Sequence, residues 1–354
     1  MPAGERRPGQ ESLAYGRGMI DFLREHARRD SVIVRAIEQD HAMISSTDSG
    51  DAAYVIHDYL APTNAPCYFR DFVRQAQAHG LSYLGDANLP AMFAFNYGDE
   101  AGQRLLDEVG CSQVVVEQYL DFISDRAFRS SLLVRQERAG DIVYRVDDAR
   151  LRKLHVAASL KCADDEIRMD DSPQAFTGEH GDTIVFDRIV QKAAVSALTQ
   201  AWPFALGFDE LKRAVQACID AALAEGHIDP LLIGFVNALV VRGQGRYRVQ
   251  PLARQPGNPT LSEAVRAYPA DLARGQLSHT FNPWHQPVLL VAVAQFLLPY
   301  IDDSRTRAAL LALLSKAVTD GTLKISQAAA GNDAAVDDTT LATELDRVLK
   351  LLCA

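Results

Sequence analysis

The sequence predicts an α+β protein that is mostly helical, with a helical module first and winged-helix-like units behind it. Three observations predict this. Apolar residues recur at helical spacing over most of the chain. Runs that alternate in the manner of strands are few and short, as in Thr183 to Phe186. Three helical stretches precede Gly243-Gln244-Gly245 and the alternating Tyr247-Arg248-Val249, which is the order of helices and glycine hairpin in a winged helix. The chain has 354 residues, which suits two or three domains better than one core. The expected division is a disordered tail over 1–10, a helical module with connector helices over 11–137, a winged-helix-like domain over 138–253, and a helical domain over 260–354. The last of these would also suit a second winged-helix-like unit.

The elements follow in order. Helical spacing begins near Leu13 and runs through Met19, Ile20, Leu23 and His26. Asp30-Ser31 can cap a second helix over Val32 to Ile44. A third passes through Tyr54, Val55 and Ile56 and stops at Leu60-Ala61-Pro62, because proline disfavours the α conformation in the residue before it. Pro66 suits the first turn of a fourth helix, in which Phe69, Phe72, Val73 and Ala76 are spaced for one face. His79-Gly80 ends that helix, glycine being able to take the left-handed cap, and Leu81 to Tyr83 alternates as a strand. Leu89 to Phe95 and Glu100 to Val109 read as helices, and Val114 to Leu133 as the longest one. Strands are expected over Ile142 to Val146, Leu154 to Leu160 and Thr183 to Phe186, with an acidic loop from Asp164 to Asp171. Helices over Ile189 to Trp202, Phe208 to Ala224 and Pro230 to Val240 then lead to the glycine turn. Beyond a Pro/Gly-rich linker, Arg254 to Pro259, come a weak helix (Leu261 to Leu277) and a loop (His279 to Pro287). Helices over Val288 to Tyr300 and Ala308 to Val318, a loop over Ile325 to Asp338, and a closing helix over Thr340 to Leu352 complete the chain.

Composition excludes several classes. Lys plus Arg is 36 and Asp plus Glu 46, a net charge of −10, which opposes binding to nucleic acid or anionic membrane. The cysteines, at 67, 111, 162, 218 and 353, form no CxxC pair, a reduced and cytoplasmic pattern without a metal signature. The longest apolar run, near Val288 to Leu298, is too short to span a bilayer. No catalytic signature is found either: there is no GxSxG elbow and no HExxH spacing. A turn for a sulfonium methyl donor needs a strand, an acidic residue and closely spaced glycines. Gly16-Arg17-Gly18 lacks the strand, Gly178 to Gly181 leads into a strand, and Gly243 to Gly245 reads as a hairpin wing. No cofactor, metal or catalytic residue is therefore expected.

The most specific stretch runs from His57 to Ala87. His57, Asp58, Tyr59, Leu60, Pro62, Asn64, Tyr68, Phe69, Asp71, Phe72, His79, Gly80, Leu81, Tyr83 and Leu84 make one ungapped pattern. That pattern resembles the signature of the predicted methyltransferase regulatory domain, a module usually found just behind an S-adenosylmethionine-dependent methyltransferase domain. Asp125-Arg126-Ala127-Phe128-Arg129-Ser130-Ser131-Leu132-Leu133 resembles a second segment of that family, with Asp125 in place of the usual asparagine. Asp58 likewise stands where glutamate is usual. A Pro, Trp and His loop ending at His285 resembles a third. The resemblance implies a winged-helix region after the regulatory module and a chain that begins inside the connector behind the catalytic domain. It makes His57, Asp58, Asn64, Tyr68, Phe72, His79, Arg126, Arg129 and His285 the candidate interaction residues. Read without it, Tyr68, Phe72 and Tyr83 are ordinary core aromatics, and the histidines are structural.

The expectation is a non-catalytic regulatory or substrate-recognition protein. Its partner would be a separate S-adenosylmethionine-dependent methyltransferase chain or that enzyme's protein substrate. The alternative is a winged-helix DNA-binding regulator, with Arg242, Arg246 and Arg248 on the wing. Against it, the third helix offers Asn237 and little else to base edges, so it is expected to be buried.

Overall fold

The computed structural model describes residues 8–28, 30–45, 49–61, 63–110, 112–179, 181–219, 228–252, 259, 279–323 and 338–352. Residues 1–7, 220–224, 254–258, 261–277 and 325–337 lie outside these, and with them the tail, linker, weak helix and last loop expected from the sequence. Two compact units are formed, one over residues 1–78 and one over 79–354. The class is α+β and mostly helical, with only small sheets.

The first unit holds α1 (Pro8–His26), α2 (Val32–Ser45), α3 (Ser49–Tyr54) and α4 (Phe69–Ala78). The first helix starts at Pro8, inside the expected tail, since proline is tolerated in the first turn. Leu13, Ile44 and Val55 form its small core with Ile20, Ala52 and Ile56. Arg24 ties α1 to α2 through Glu38 at 2.9 Å. The third helix continues as a π turn over Val55–Tyr59, closed by the Leu60 N–H donating to the Val55 carbonyl at 3.1 Å. The fourth helix begins later than Pro66 suggests, with Tyr68 supplying the first helical carbonyl to Asp71 and Phe72. Its buried residues are Phe69, Val73 and Ala76.

The second unit opens with Gly80 in the left-handed region, φ 74°, as the glycine cap requires. A two-stranded antiparallel ribbon follows, formed by β1 (Leu81–Asp86) and β2 (Ser131–Arg135), with a bulge between Tyr83 and Gly85. Between these strands lie two 3-10 turns, Leu89–Met92 and Ala94–Tyr97, then α5 (Asp99–Val109) and α6 (Gln113–Ser124). The long helix expected over Val114 to Leu133 thus ends nine residues early. Asp125 takes the left-handed conformation (φ 51°, ψ 43°) and stops it. A short polar side chain tolerates that conformation, so the helix ends without the glycine or proline that would have marked it in the sequence.

After α7 (Asp148–Leu151) come β3 (His155–Ala157), β4 (Lys161–Cys162), β5 (Gln174–Thr177) and β6 (Thr183–Phe186). Ile142 to Val146 forms no strand. Instead the Tyr144 hydroxyl donates to the Tyr83 carbonyl at 2.6 Å. The strand β5 was not visible as one, lying directly behind the acidic loop and pairing with both β4 and β6. Next are α8 (Ile189–Ala201), β7 (Leu206–Gly207), α9 (Phe208–Cys218), α10 (Ile228–Arg242) and β8 (Arg246–Arg248). Three helices pack around Phe176, Phe186, Leu198, Leu211, Leu232 and Phe235. The strand order β7-β3-β8 corrects the expected hairpin wing, because β8 pairs with β3, which precedes all three helices. Gly243 caps α10 at φ 67°, and a β-carbon there would stand 2.6 Å from Pro90.

The C-terminal part begins with a hairpin of β9 (His279–Phe281) and β10 (Pro287–Leu289), where a loop and the start of a helix are expected. Then come α11 (Ala292–Leu297), α12 (Arg307–Thr319) and α13 (Asp338–Leu352). Their core is Val293, Leu297, Leu310, Leu314, Leu341, Leu345 and Val348, the apolar spacing read from the sequence. Among the described residues no helix is long and apolar enough to cross a membrane.

Candidate functional site

Arg126 and Arg129 lie in the link between α6 and β2. The left-handed turn at Asp125 sends this link back along the helix, and the Arg126 N–H donates to the Asp121 carbonyl at 2.9 Å. Both guanidiniums then meet three carboxylates. Arg129 lies against both oxygens of Asp121 through Nε, at 3.0 and 2.9 Å. Its Nη1 donates to Glu117 Oε2 at 2.8 Å and reaches Asp86 Oδ2 at 3.4 Å, while Nη2 donates to the Glu117 carbonyl at 3.0 Å. Arg126 stands at 3.6 Å from Asp86 and from Asp121 and donates to the Tyr97 hydroxyl at 3.0 Å.

Glu117 is fully buried and must find donors to remain there. It has three: the Tyr83 hydroxyl at 2.7 Å, Gln113 Nε2 at 3.0 Å, and Arg129. Burial alone would lower the pKa of Arg129, but the hydrogen bonds to Asp121 and Glu117 outweigh it and hold the guanidinium above its ordinary range. Tyr83 is pushed up, by burial first and then by the negative charge of Glu117. The cluster spans β1, α6 and the link, with two cations against three anions. These bonds tie the cluster's oxygens and nitrogens to one another, so it fixes the geometry of α6 against the ribbon.

The other candidates lie on other elements. His57 and Asp58 are exposed on the π turn. Asn64 Nδ2 donates to the carbonyls of Asp58 and Tyr59 at 3.1 and 3.3 Å, closing the end of that turn. Tyr68 is 57% exposed, against the core reading, because it precedes α4 and its backbone does the capping. Phe72 is half-buried on α4, and His79 is exposed just after it. His285 is exposed at the tip of the β9–β10 hairpin with φ 58°. Arg126 and Arg129 are therefore brought together, as are Asn64 and Asp58. Sequence reading missed Asp86, Glu117 and Asp121. The signal available was the pair of carboxylates four apart on one helix, opposite two arginines.

The proposed wing is differently used. Arg246 donates to Glu179 and Gln286 and lies over the Trp202 ring at 4.8 Å. Arg248 lies over Trp284 at 5.8 Å and donates to the Pro283 carbonyl at 3.3 Å. Leu232, Phe235, Val236 and Leu239 of α10 are buried. Two of the three arginines therefore hold the last hairpin to the middle helices. Gly16 and Gly18 lie within α1, and Gly178 to Gly181 turn the β5–β6 hairpin. Among the described residues no group of three or more His, Cys, Asp or Glu side chains could hold a metal ion.

With this geometry in view, two family segments are found in the chain. Residues 51–135 match the predicted methyltransferase regulatory domain, and residues 258–354 match the C-terminal winged helix domain of PKMT. The uncharacterized protein RP789 of Rickettsia prowazekii (strain Madrid E) is 28% identical over 135 residues, which is 36% of this chain and 22% of that protein. The chain thus matches about a fifth of the length of that curated relative. Among solved structures, PKMT2 from Rickettsia typhi in complex with AdoHcy superposes with a TM-score of 0.72 at 18% identity, over 98% of this chain and 71% of that one. PKMT2 from the same organism, in a second structure, gives 0.69 over 97% and 69%. At 18% identity the likeness is one of fold.

Proposed function

We propose that this chain is a regulatory or substrate-recognition protein that acts with an S-adenosylmethionine-dependent methyltransferase whose catalytic domain is on a separate chain, in the cytoplasm. The observation that carries the reading is the pair of family segments in order, regulatory at 51–135 and winged-helix at 258–354. The use the chain makes of its close glycine pairs supports it further. One pair lies inside a helix, one turns a hairpin, and Gly243 caps α10. The buried face of α10 and the engaged arginines favour protein contact over nucleic-acid contact.

The test has two arms. The tagged chain is used to capture partners from its own cells, and protein methylation is compared in cells with and without it. The reading expects a methyltransferase to be captured and at least one protein to change its methylation. Capture of none, with methylation unaltered, contradicts it. Calorimetric titration of the chain alone with S-adenosylmethionine is expected to give no saturable heat, and clear binding would reverse the non-catalytic part.

A further inference from the structure

The sheet β4-β5-β6 ends on an open strand edge. In an antiparallel pair, hydrogen-bonded and non-bonded rungs alternate. The Gly178 N–H donates to the Asp182 carbonyl at 3.1 Å, so 178 and 182 lie on a bonded rung. Thr183 and Val185 of β6, opposite Thr177 and Ala175, then fall on non-bonded rungs and turn their N–H and carbonyl groups outward. The neighbouring strand agrees, because the Ala175 carbonyl accepts from the Ala163 N–H at 3.0 Å, away from β6. Thr183 and Val185 are both exposed, Val185 by 58%. Among the described residues nothing hydrogen-bonds to this outer edge. The ribbon differs, since the Tyr83 carbonyl of β1 is taken by the Tyr144 hydroxyl.

We propose that β6 takes an extended, lysine- or arginine-bearing segment of a protein partner as an added strand. The proposal rests on the substrate-recognition reading and deepens it, since it names the class of segment recognised. Backbone groups supply the pairing, through the outward N–H and carbonyl of Thr183 and of Val185. Charge selects the occupant. Residues 164 to 187 carry eight carboxylates and one arginine. Four of the eight are ion-paired, Asp164 with Arg168, Asp170 with Lys192, Asp171 with Arg188 and Glu179 with Arg246. Among the described residues no ion pair is formed by Asp165, Glu166, Asp182 or Asp187, all of them exposed. Asp182 and Asp187 flank β6 directly, about 17 Å apart at about 3.3 Å per residue. Arg188, the cation nearest in sequence, is drawn to Asp171 at 3.4 Å. A second copy pairing edge to edge would set aspartate beside aspartate in either orientation, which opposes self-association. An anionic lipid surface or nucleic acid would be repelled as well. An extended segment with a cation at each end and an apolar residue opposite Val185 meets every one of these features.

The test titrates the full chain into a labelled peptide of alternating valine and threonine with lysines five residues apart, following fluorescence anisotropy. Two control peptides carry glutamates for the lysines, or N-methyl groups on the backbone amides that would face β6. Saturable binding of the lysine peptide is expected, weakening as salt rises, with none for the glutamate peptide. The N-methylated peptide should bind at least about tenfold more weakly, equivalent to about 1.4 kcal/mol. Val185→Pro removes an outward N–H, which an edge strand tolerates, and should weaken binding about as much. Thr183→Pro, at the first residue of the strand, is the second variant should Val185→Pro lose the circular dichroism of the parent, and the N-methylated peptide probes the same bonds without altering the chain. Asp182→Asn combined with Asp187→Asn should weaken binding several-fold. Four results would each overturn the proposal: no binding of the lysine peptide, equal affinity for the lysine and glutamate peptides, equal affinity for the lysine and N-methylated peptides, or a dimer of the parent in sedimentation that Val185→Pro abolishes. No methyltransferase is present in this assay, so its failure leaves the regulatory reading to the partner-capture test.

Discussion

The two segments that carry the regulatory signature are built in opposite ways. In the first, His57, Asp58, Asn64 and Tyr68 are exposed, and their order comes from backbone caps. In the second, Arg126 and Arg129 are largely shielded and locked to three carboxylates. One sequence pattern thus contains two kinds of residue. The exposed kind lies along the π turn and the approach to α4, and the shielded kind determines where α6 and the β1–β2 ribbon sit. Substitutions should separate the two by stability before any partner is added.

The largest effect is expected at Arg129. Arg129→Ala leaves Glu117 buried without its cation, a loss of about 3–5 kcal/mol in chemical denaturation. A loss below about 1 kcal/mol would mean that the cluster is not what fixes α6. Tyr83→Phe comes next, removing one donor to Glu117 at a cost of about 1–3 kcal/mol. The direction of the Tyr83 shift adds a pH test. Its folded-state value is raised, so its contribution is complete below the unfolded value of about 10 and is lost as pH rises through the folded one. Stability should therefore fall in strong alkali, less steeply in Tyr83→Phe, and one tyrosine should ionise only on unfolding. Asn64→Ala should cost about 0.5–1 kcal/mol and speed amide exchange near Leu60 without altering the second unit. The smallest effects are expected for His57→Ala and Asp58→Ala, each within about 0.5 kcal/mol. If either destabilised the chain as Arg129→Ala does, the contrast between the two segments would be lost.

The sequence made some of this legible and concealed the rest for definable reasons. The helices α8, α12 and α13 follow from apolar spacing alone, because each buries one continuous side. The end of α6 was hidden, since aspartate at 125 takes a conformation usually advertised by glycine. The apolar Leu132 and Leu133 then prolonged a helical pattern into what is a strand. Helical spacing over α6 was visible, but spacing does not say that Glu117 is buried beside Val116 and Leu120 while Tyr119 and Phe122 stay partly exposed. Arg126 and Arg129 were singled out through resemblance, whereas their partner Asp86 is distant in sequence and joins them only through the ribbon. The arginines near the glycine turn read as a wing because their acceptors, Glu179 and Gln286, lie far away in the chain.

The most direct test of the account measures methyl transfer by the captured methyltransferase, with the chain added or withheld. The account predicts that adding the chain changes the rate or the choice of substrate. An unchanged rate on unchanged substrates would contradict it.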